Sequence, residues 1–596
     1  MSKNAEVAAE LEAMADHLEA RDVDYKPNIY RRAADSIRGH TVAVETLYEE
    51  GGKEALKEID DVGDAIASKT AEFIETGHIE ELEELREEMP VEMDALTAVE
   101  GVGPKTVAAL YDALGIETLD DLEAAAEAGE IQEVKGFGPK TEENIVQNIP
   151  FARESRERSL LGEARPVADR VTAFFEGVDA VDRVDVAGSI RRWRPTIGDV
   201  DALAASEDFE AVIDAFEGWE ETDEVIEAGT NKASVRSNGL RVDLRVVVPE
   251  EFGAALQYFT GSKDHNIAVR NRAIDMDLKV NEYGVFDISE LGSDGSSDSS
   301  DGVSGVEDPD SGQRVGERVA GETEEEVYAA VDMDWMPPEL RENRGEVEAA
   351  ADGSLPDLLT GEDINGDLHF HTNYSDGDES IERMVEAAAE FGHDYVSVGD
   401  HATGPGMVGG VGLSDEELLD QMEAIRAVAE ETDIEVFAGV EANIDEDGGI
   451  SVGDDVLAEL DCVVASPHSG LDGDGTDRLV AAIEHPEVDI IGHPTGRMLN
   501  QRPGHDIDID RVAEAAADNG TALEINSDPR RLDLRSSNAK AAIEAGATIS
   551  VNTDAHRPGA FEYMRFGVHT ARRGWCEPDD VLNCRDVEGL RDFLGL

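Results

Sequence analysis

The sequence predicts a multidomain chain of α+β and α/β parts, helical at its start, mixed from about residue 181, and closing in a (β/α)7 barrel. Three observations predict it. The first 90 residues carry apolar side chains at helical spacing, as in VAAELEAMADHLEA and IASKTAEFIETG. From about 181 the apolar period becomes two, in VDRVDVAGS and LRVDLRVVV. From 366 onward seven apolar runs, DLHFHT, YVSVGDH, EVFAGVEANI, CVVASPHS, DIIGHP, ALEINS and TISVNTDAH, alternate with segments of crossover-helix length. That alternation is the signature of a parallel sheet, and seven units suggest a closed or nearly closed barrel.

With 596 residues and a prior of about 150 per domain, roughly four domains are expected. The boundaries fall at 1–90 (short helices), 91–150 (a repeated hairpin), 151–250 (α+β), 251–335, 336–362 (a Pro-containing linker) and 363–596 (the barrel). Within 251–335 the stretch 292–316, GSDGSSDSSDGVSGVEDPDSGQRVG, lacks apolar period and reads as a disordered acidic insertion. The repeated hairpin is VEGVGPKTVAAL at 99–110 and VKGFGPKTEENI at 134–145.

Apolar residues make up 40% of the chain, enough for real cores, and no apolar run approaches membrane-spanning length. The N-terminal MSKNAEVAAELEAMADHL is an acidic amphipathic helix and not a signal peptide, so a cytoplasmic protein is expected. The three cysteines, Cys462, Cys576 and Cys584, form no C-x-x-C pair, which fits a reducing compartment. Lys+Arg 50 against Asp+Glu 136 gives a net charge of −86, spread along the whole chain. Such a surface normally repels nucleic acid. It is read here as adaptation to very high salt, where the Debye length falls to about 3 Å and self-repulsion is screened. No lysine occurs between Lys279 and Lys540, so the surviving lysines carry more weight.

In the barrel, polar residues fall at equivalent places. His369 and His371 alternate on one face of a strand, and His401, Glu441, His468, His493, Asp554 and His556 each end an apolar run. Strand C-termini of a β/α barrel meet at one mouth, so these groups converge, together with Asp376 from the loop HTNYSDG. Mixed imidazole and carboxylate donors suit Zn2+, Mn2+ or Fe2+ better than Mg2+ or Ca2+. Nine such groups are too many for one ion, so two or three are expected. Clustered divalent ions point to phosphoester hydrolysis.

A second constellation lies in VAGSIRRWRPTIGDVDAL at 186–203. Asp199 and Asp201 project to one side of a strand, where Asp243 can join them from a neighbour. Three carboxylates on one sheet face suit paired Mg2+. Gly188, Ser189 and the following arginines suit a triphosphate seated on backbone N–H groups and guanidinium forks.

H-x-H, GDH, a lone Glu, SPH, GHP and TDAH in this order resemble the PHP (polymerase and histidinol phosphatase) domain. The resemblance implies His369, His371, Glu441 and Asp554 around one ion, Glu441 bridging to a second held by His468 and His493, and Asp376, His401 and His556 on a third. GS-x-RR followed by GD-x-D and a strand Asp resembles the nucleotidyltransferase palm of family X DNA polymerases, the class of DNA polymerase beta. That likeness implies a palm with a mixed sheet in 151–250 and a nucleotide-selection and thumb domain in 251–335. It places Ser189, Arg192 and Gly198 on the triphosphate, and, in QYFTGSKDHNIAVRNRA, Tyr258, Phe259 and Gly261 against the sugar, Asn266 near the base and Arg270 close to the template. Asp243 is then the group that assists deprotonation of the primer 3′-hydroxyl. One departure is Trp193, where relatives usually carry a glycine.

The hairpins resemble helix-hairpin-helix motifs, in which Gly101, Gly103, Gly136 and Gly138 bring backbone N–H groups to a DNA phosphate and Lys105 and Lys140 add charge. Residues 1–90 resemble the family's small lyase domain, with Lys69 at the Schiff-base position and Lys26 and Tyr30 near a 5′-phosphate. Ala65 and Asp61 depart from the family there, so lyase chemistry and a bare 5′-phosphate grip remain alternatives. The resemblance implies a monomeric repair polymerase of bacterial or archaeal type that fills short gaps with Mg2+ and dNTPs. Its PHP domain would be a Mn2+ or Zn2+ dependent 3′-5′ exonuclease, or an AP endonuclease. The rivals are a DNA gap or end-binding protein with a structural PHP domain, and a polymerase whose PHP domain acts on a small phosphoester or pyrophosphate.

Overall fold

The computed structural model describes residues 3–23, 25–38, 44–57, 59, 61–99, 101–156, 158–289, 313–407 and 411–596. The acidic insertion read at 292–316 lies outside them except for its last four residues.

The N-terminal helices, among them Asn4–Ala20, Lys26–Arg38 and Asp64–Thr76, bury the apolar stripes that the sequence shows, around Leu11, Met14, Ile37, Leu56 and Leu82. Two hairpins follow, each feeding a helix, Pro104–Leu114 and Pro139–Arg156. Gly101 and Gly136 stand at φ +83° and +104°, in the left-handed region where a side chain is strained, although neither position is crowded. The requirement there is conformational.

The mixed five-stranded sheet runs in the order Arg183–Val186, Val200–Ala205, Leu240–Val247, Lys232–Ser237, Glu224–Ala228. Its second and third strands are parallel, with Asp201 opposite Asp243. The helices Leu161–Glu176 and Phe209–Glu217 supply Val171, Phe175, Val212 and Phe216 to its core. A three-stranded antiparallel sheet, Leu278–Asn281, Gly284–Asp287 and Glu317–Ala320, comes next.

The last domain is a seven-stranded parallel sheet whose strands lie side by side in chain order, from Gly366–Phe370 to Ile549–Asn552. It closes on itself. Asp554 N donates to His369 O at 2.9 Å, and His371 N to Ala555 O at 2.8 Å, so the first strand meets the end of the last. Strands packed on both faces must be apolar almost throughout, which is why they read as continuous runs rather than alternating ones.

Residues 336–362, expected as a linker, join the domains but are themselves packed. In the stretch PELRENRGE at 338–346 Leu340, Arg341 and Glu346 are buried, and three carboxylates point to three places. Glu339 accepts from His569 and Arg572 of the barrel at 2.7 Å each. Glu342 lies among Arg192, Arg194 and Arg573. Glu346 meets His265 at 2.7 Å. Nearby, Glu324 pairs with Arg191 at 2.8 Å and with Arg341.

Burial pushes the carboxyls of Glu324, Glu339 and Glu342 up, but their cationic partners outweigh it and bring each down to about 2. Folded values below the unfolded one, near 4.3, stabilise the protein above that pH, and the stabilisation is lost as pH falls from about 4.3 toward 2. Thermal unfolding at fixed salt should therefore show a steep loss of melting temperature across that window. Glu342→Gln should start lower at neutral pH and lose less on acidification; an equal loss would disconnect Glu342 from the effect.

Candidate metal centres and nucleic-acid contacts

Oxygens of Asp199, Asp201 and Asp243 lie within 4.8 Å of one another. Parallel register sets Asp201 beside Asp243, and Asp199, two residues earlier, falls on the same side. Gly188 crosses directly over them: at φ +62°, a Cβ there would sit 2.1 Å from Asp201 Oδ2. The loop can approach the carboxylates this closely only as glycine. Burial first, then the charges of Asp199 and Asp243, push the Asp201 carboxyl up to about 7. Arg192 and Arg245 offset part of this, and Arg241 pairs with Asp243 at 2.7 Å. The remaining excess of negative charge on hard oxygen donors fits a divalent cation.

Ser189 lies in the helical turn Gly188–Arg191. Arg192 donates to Thr260 O at 2.6 Å and pairs with Glu342 at 3.0 Å. Gly198 lies beside Arg158. Tyr258 and Phe259 end the helix Phe252–Thr260 with their rings edge to face at 5.2 Å, and Arg245 lies over Phe259. The Asn266 amide donates to Tyr258 O at 2.7 Å and Gly261 O at 3.2 Å and accepts from Gln257. Here it fastens the Tyr258–Gly261 turn, whereas the sequence reading puts it near a base. Arg270 donates to the carbonyl of Asn266.

In the first domain Lys69 is ion-paired with Glu81, beside the buried Tyr30, whose hydroxyl is pushed up to about 12 by burial and by Glu81. Lys26 opens the helix after Tyr25. Asp61 adopts a left-handed φ of +58°, as a hairpin glycine would, and pairs with Arg32 at 2.9 Å. Lys105 and Lys140 follow their hairpins, Gly103 and Gly138 lying just ahead of each helix. Lys105 meets Asp22 of the first domain at 2.9 Å.

At the barrel mouth all nine expected groups come together. Ligand atoms cluster as His371, Asp376, His401 and His556; as His369, His371 and Asp554; and as His401, Glu441 and His468. His493 Nε2 adds a contact of 3.0 Å to Glu441. The grouping differs from the sequence reading where clusters share a member: His371 falls with both Asp554 and Asp376, and His401 contacts both Asp376, at 3.5 Å, and Glu441, at 2.5 Å. Nε2 of His369 and His468 and Nδ1 of His371 and His493 are buried without a hydrogen-bond partner. Buried polar atoms are rarely left so, and this donor set fits transition-metal ions.

Burial opposes charge throughout the cage, but opposite charges win at several sites. Glu441 and Asp376 push the His401 imidazole up to about 10, and Asp376 and Asp554 push His556 up to about 9. Burial, aided by the neighbouring imidazoles, keeps His371 low, and burial holds His468 down at about 4 despite Glu441. Glu441, surrounded by His401, His468 and His369, is held well below the carboxylate range.

Several residues of the site escape a sequence reading. Glu524, fully buried in the strand ALEIN, accepts from His369 Nδ1 at 2.8 Å and the His493 backbone N–H at 2.6 Å, fixing the His369 imidazole and the His493 main chain. Its signal was a charge inside an otherwise apolar run. Asn443 orients His468 at 2.8 Å. Asp400 accepts from Thr372 N and Thr372 Oγ1 and so anchors the loop that carries Asp376. Asp528, Arg530 and Arg531 line a cavity of about 350 Å3 over the cage, with Arg531 3.7 Å from Asp554. Two adjacent guanidinium groups there suit a phosphodiester.

Four family models match the chain: a helix-hairpin-helix domain at 2–79, a SAM-like helix-hairpin-helix tandem at 93–149, the DNA polymerase beta thumb at 255–342 and the PHP domain at 367–528. Over 598 residues, 98% of each chain, it is 34% identical to the DNA polymerase/3′-5′ exonuclease PolX of Bacillus subtilis (strain 168). It is 34% identical over 207 residues to a probable phosphatase of Caldanaerobacter subterraneus subsp. tengcongensis, covering 32% of this chain and 75% of the relative. A probable phosphatase of Thermoanaerobacter sp. (strain X514) is 32% identical over 248 residues, 38% of this chain and 93% of the relative.

Proposed function

We propose, because this chain belongs to the family X DNA polymerases that carry a C-terminal PHP domain, that it fills short gaps in DNA repair with its palm and hydrolyses 3′ ends with its barrel. The observation that carries the reading is the presence of two cages in one chain, three carboxylates on a sheet face and nine imidazole and carboxylate ligands in a barrel mouth. It acts as a cytoplasmic monomer, and its charge of −86 suits a salt-rich interior.

Asp199, Asp201 and Asp243 would hold Mg2+, and the barrel's nine groups two or three Mn2+ or Zn2+ ions. When bound, these ions supply charge that activates an attacking oxygen and stabilises the leaving one. Asp243 would accept the proton of the primer 3′-hydroxyl. Ser189, Arg192 and Gly198 seat the triphosphate, and Tyr258, Phe259 and Gly261 form the wall against the sugar. Asn266 and Arg270 stand on the base and template side. The hairpins, through Gly101, Gly103, Gly136 and Gly138 with Lys105 and Lys140, grip the backbone by fixed N–H groups, which suits a binder whose counterion release is weak at high salt. Lys26 and Tyr30 receive the 5′-phosphate. The Lys69 ammonium already has a carboxylate partner in Glu81, so a 5′-phosphate grip is favoured over lyase chemistry.

In the barrel, Arg530 and Arg531 orient the scissile phosphate over the cage, and the cavity of about 350 Å3 admits one terminal nucleotide rather than a duplex. The matches to probable phosphatases favour a second reading for this domain alone, a small phosphomonoester as substrate. A gapped duplex with a 5′-labelled primer, in concentrated KCl, tests both. The primer should lengthen with dNTPs and Mg2+ and shorten with Mn2+ alone. An intact primer beside rapid cleavage of p-nitrophenyl phosphate would favour the second reading, and absence of extension would overturn the first.

A further inference from the structure

Trp193 follows Arg192 directly and holds φ +52°, a backbone region that bulky side chains rarely occupy. Such strain persists where the surroundings over-determine it. The other catalytic domain packs directly against this residue. The indole lies flat on the imidazole of His569, ring centroids 3.5 Å apart and planes 7° from parallel. Phe566 meets it nearly edge on at 6.1 Å, and the Arg165 guanidinium lies 4.7 Å over the same ring. His569 and Phe566 belong to the barrel helix Met564–Arg573.

The end of that helix makes a second attachment. Arg573 donates to the main-chain carbonyl of Arg192 and pairs with Glu342 at 3.2 Å. Glu342 is also the carboxylate that holds the Arg192 guanidinium, whose other end donates to Thr260 O, one residue before Gly261. Ring and relay together fix the backbone and the side chain of Arg192 from the barrel side. His569 is itself steadied by Glu339, 2.7 Å away.

We infer that Trp193 and His569 form a brace by which the barrel positions Arg192, making the barrel a structural part of the palm's nucleotide site. This rests on the reading of Arg192 as a triphosphate ligand. Both are positioning residues: neither belongs to the aspartate cluster or to the barrel cage. Loosening the brace weakens the hold on the nucleotide in ground state and transition state alike, so KM rises while kcat stays.

The test compares the full-length wild type with Trp193→Ala, Trp193→Phe and His569→Ala in single-nucleotide gap filling, with 3′-end hydrolysis followed in parallel. Loss of an aromatic stack predicts a rise of about 3- to 10-fold in KM for the dNTP in both alanine variants. Little change is expected in kcat or 3′ hydrolysis, and Trp193→Phe should restore KM. Unchanged KM in both alanine variants overturns the brace. So does joint loss of synthesis and 3′ hydrolysis in both, which would mean that the pair merely holds the fold. A wild-type chain that extends nothing sinks the polymerase reading instead, and the functional meaning of the brace with it.

Discussion

Asp243→Ala is expected to extend a gapped primer at least about 10³-fold more slowly than the wild type while shortening 3′ ends at the normal rate. Parallel register places Asp243 against Asp201 inside a triad spanning less than 5 Å, so its removal takes away a cation ligand and the proposed acceptor of the hydroxyl proton together. It also relieves Asp201, whose carboxyl is pushed up partly by the Asp243 charge. The fold should not suffer, because the side chain is partly exposed and its ion pair is to the exposed Arg241. Single-turnover extension and binding of the gapped duplex are the measurements. Extension within tenfold of wild type would remove Asp243 from the chemistry, and loss of duplex binding would make its role one of grip. Asp243→Asn, similar in shape without the charge, should behave like the alanine variant.

Glu441→Ala should do the converse, abolishing 3′ hydrolysis and leaving extension intact. One buried carboxylate there faces five imidazoles, those of His369, His371, His401, His468 and His493, at 2.5 to 3.7 Å. Without it the imidazoles lose both their common bridge and their counter-charge. Disturbing even an outer partner of a metal ligand costs about 10- to 100-fold, so loss of the bridge itself should exceed that range. Metal content per chain should fall along with activity. Breaking a buried ion pair typically removes about 3 to 5 kcal/mol, so the variant should also unfold at lower temperature, with Glu441→Gln retaining more of the fold but not the metal. Wild-type metal content with full hydrolysis would displace Glu441 from the centre of the cage.

The parts of this architecture that sequence reveals are those set by local period and by topology. His369 and His371, at i and i+2, must share a face of one strand, and a β/α barrel must bring its strand ends together, so the nine groups could be gathered without coordinates. The seven apolar runs show the barrel because its strands are buried on both faces. The aspartates converge because two strands turn out to be parallel neighbours. Partnerships formed across long separations stay hidden. Nothing local in SDPRR tells that Arg531 reaches Asp554, and nothing in PELRENRGE tells that Glu342 meets Arg573, which is 231 residues away. Asn266, which the motif assigns to a base, reveals its hold on the Tyr258–Gly261 turn only in the structure. Trp193 keeps the left-handed backbone expected of a glycine, because a ring from another domain rewards it.

The three carboxylates of the 338–346 segment make the molecule awkward to dissect. Cut upstream of them, a palm fragment keeps Arg192 and Arg194 but surrenders Glu342, leaving two guanidinium groups to find other anions. Cut downstream, the shortened barrel piece keeps His569 and Arg572 without Glu339 and opens a flat aromatic face to solvent. Either fragment should prove stickier and less faithful to the parent than its tidy boundaries suggest.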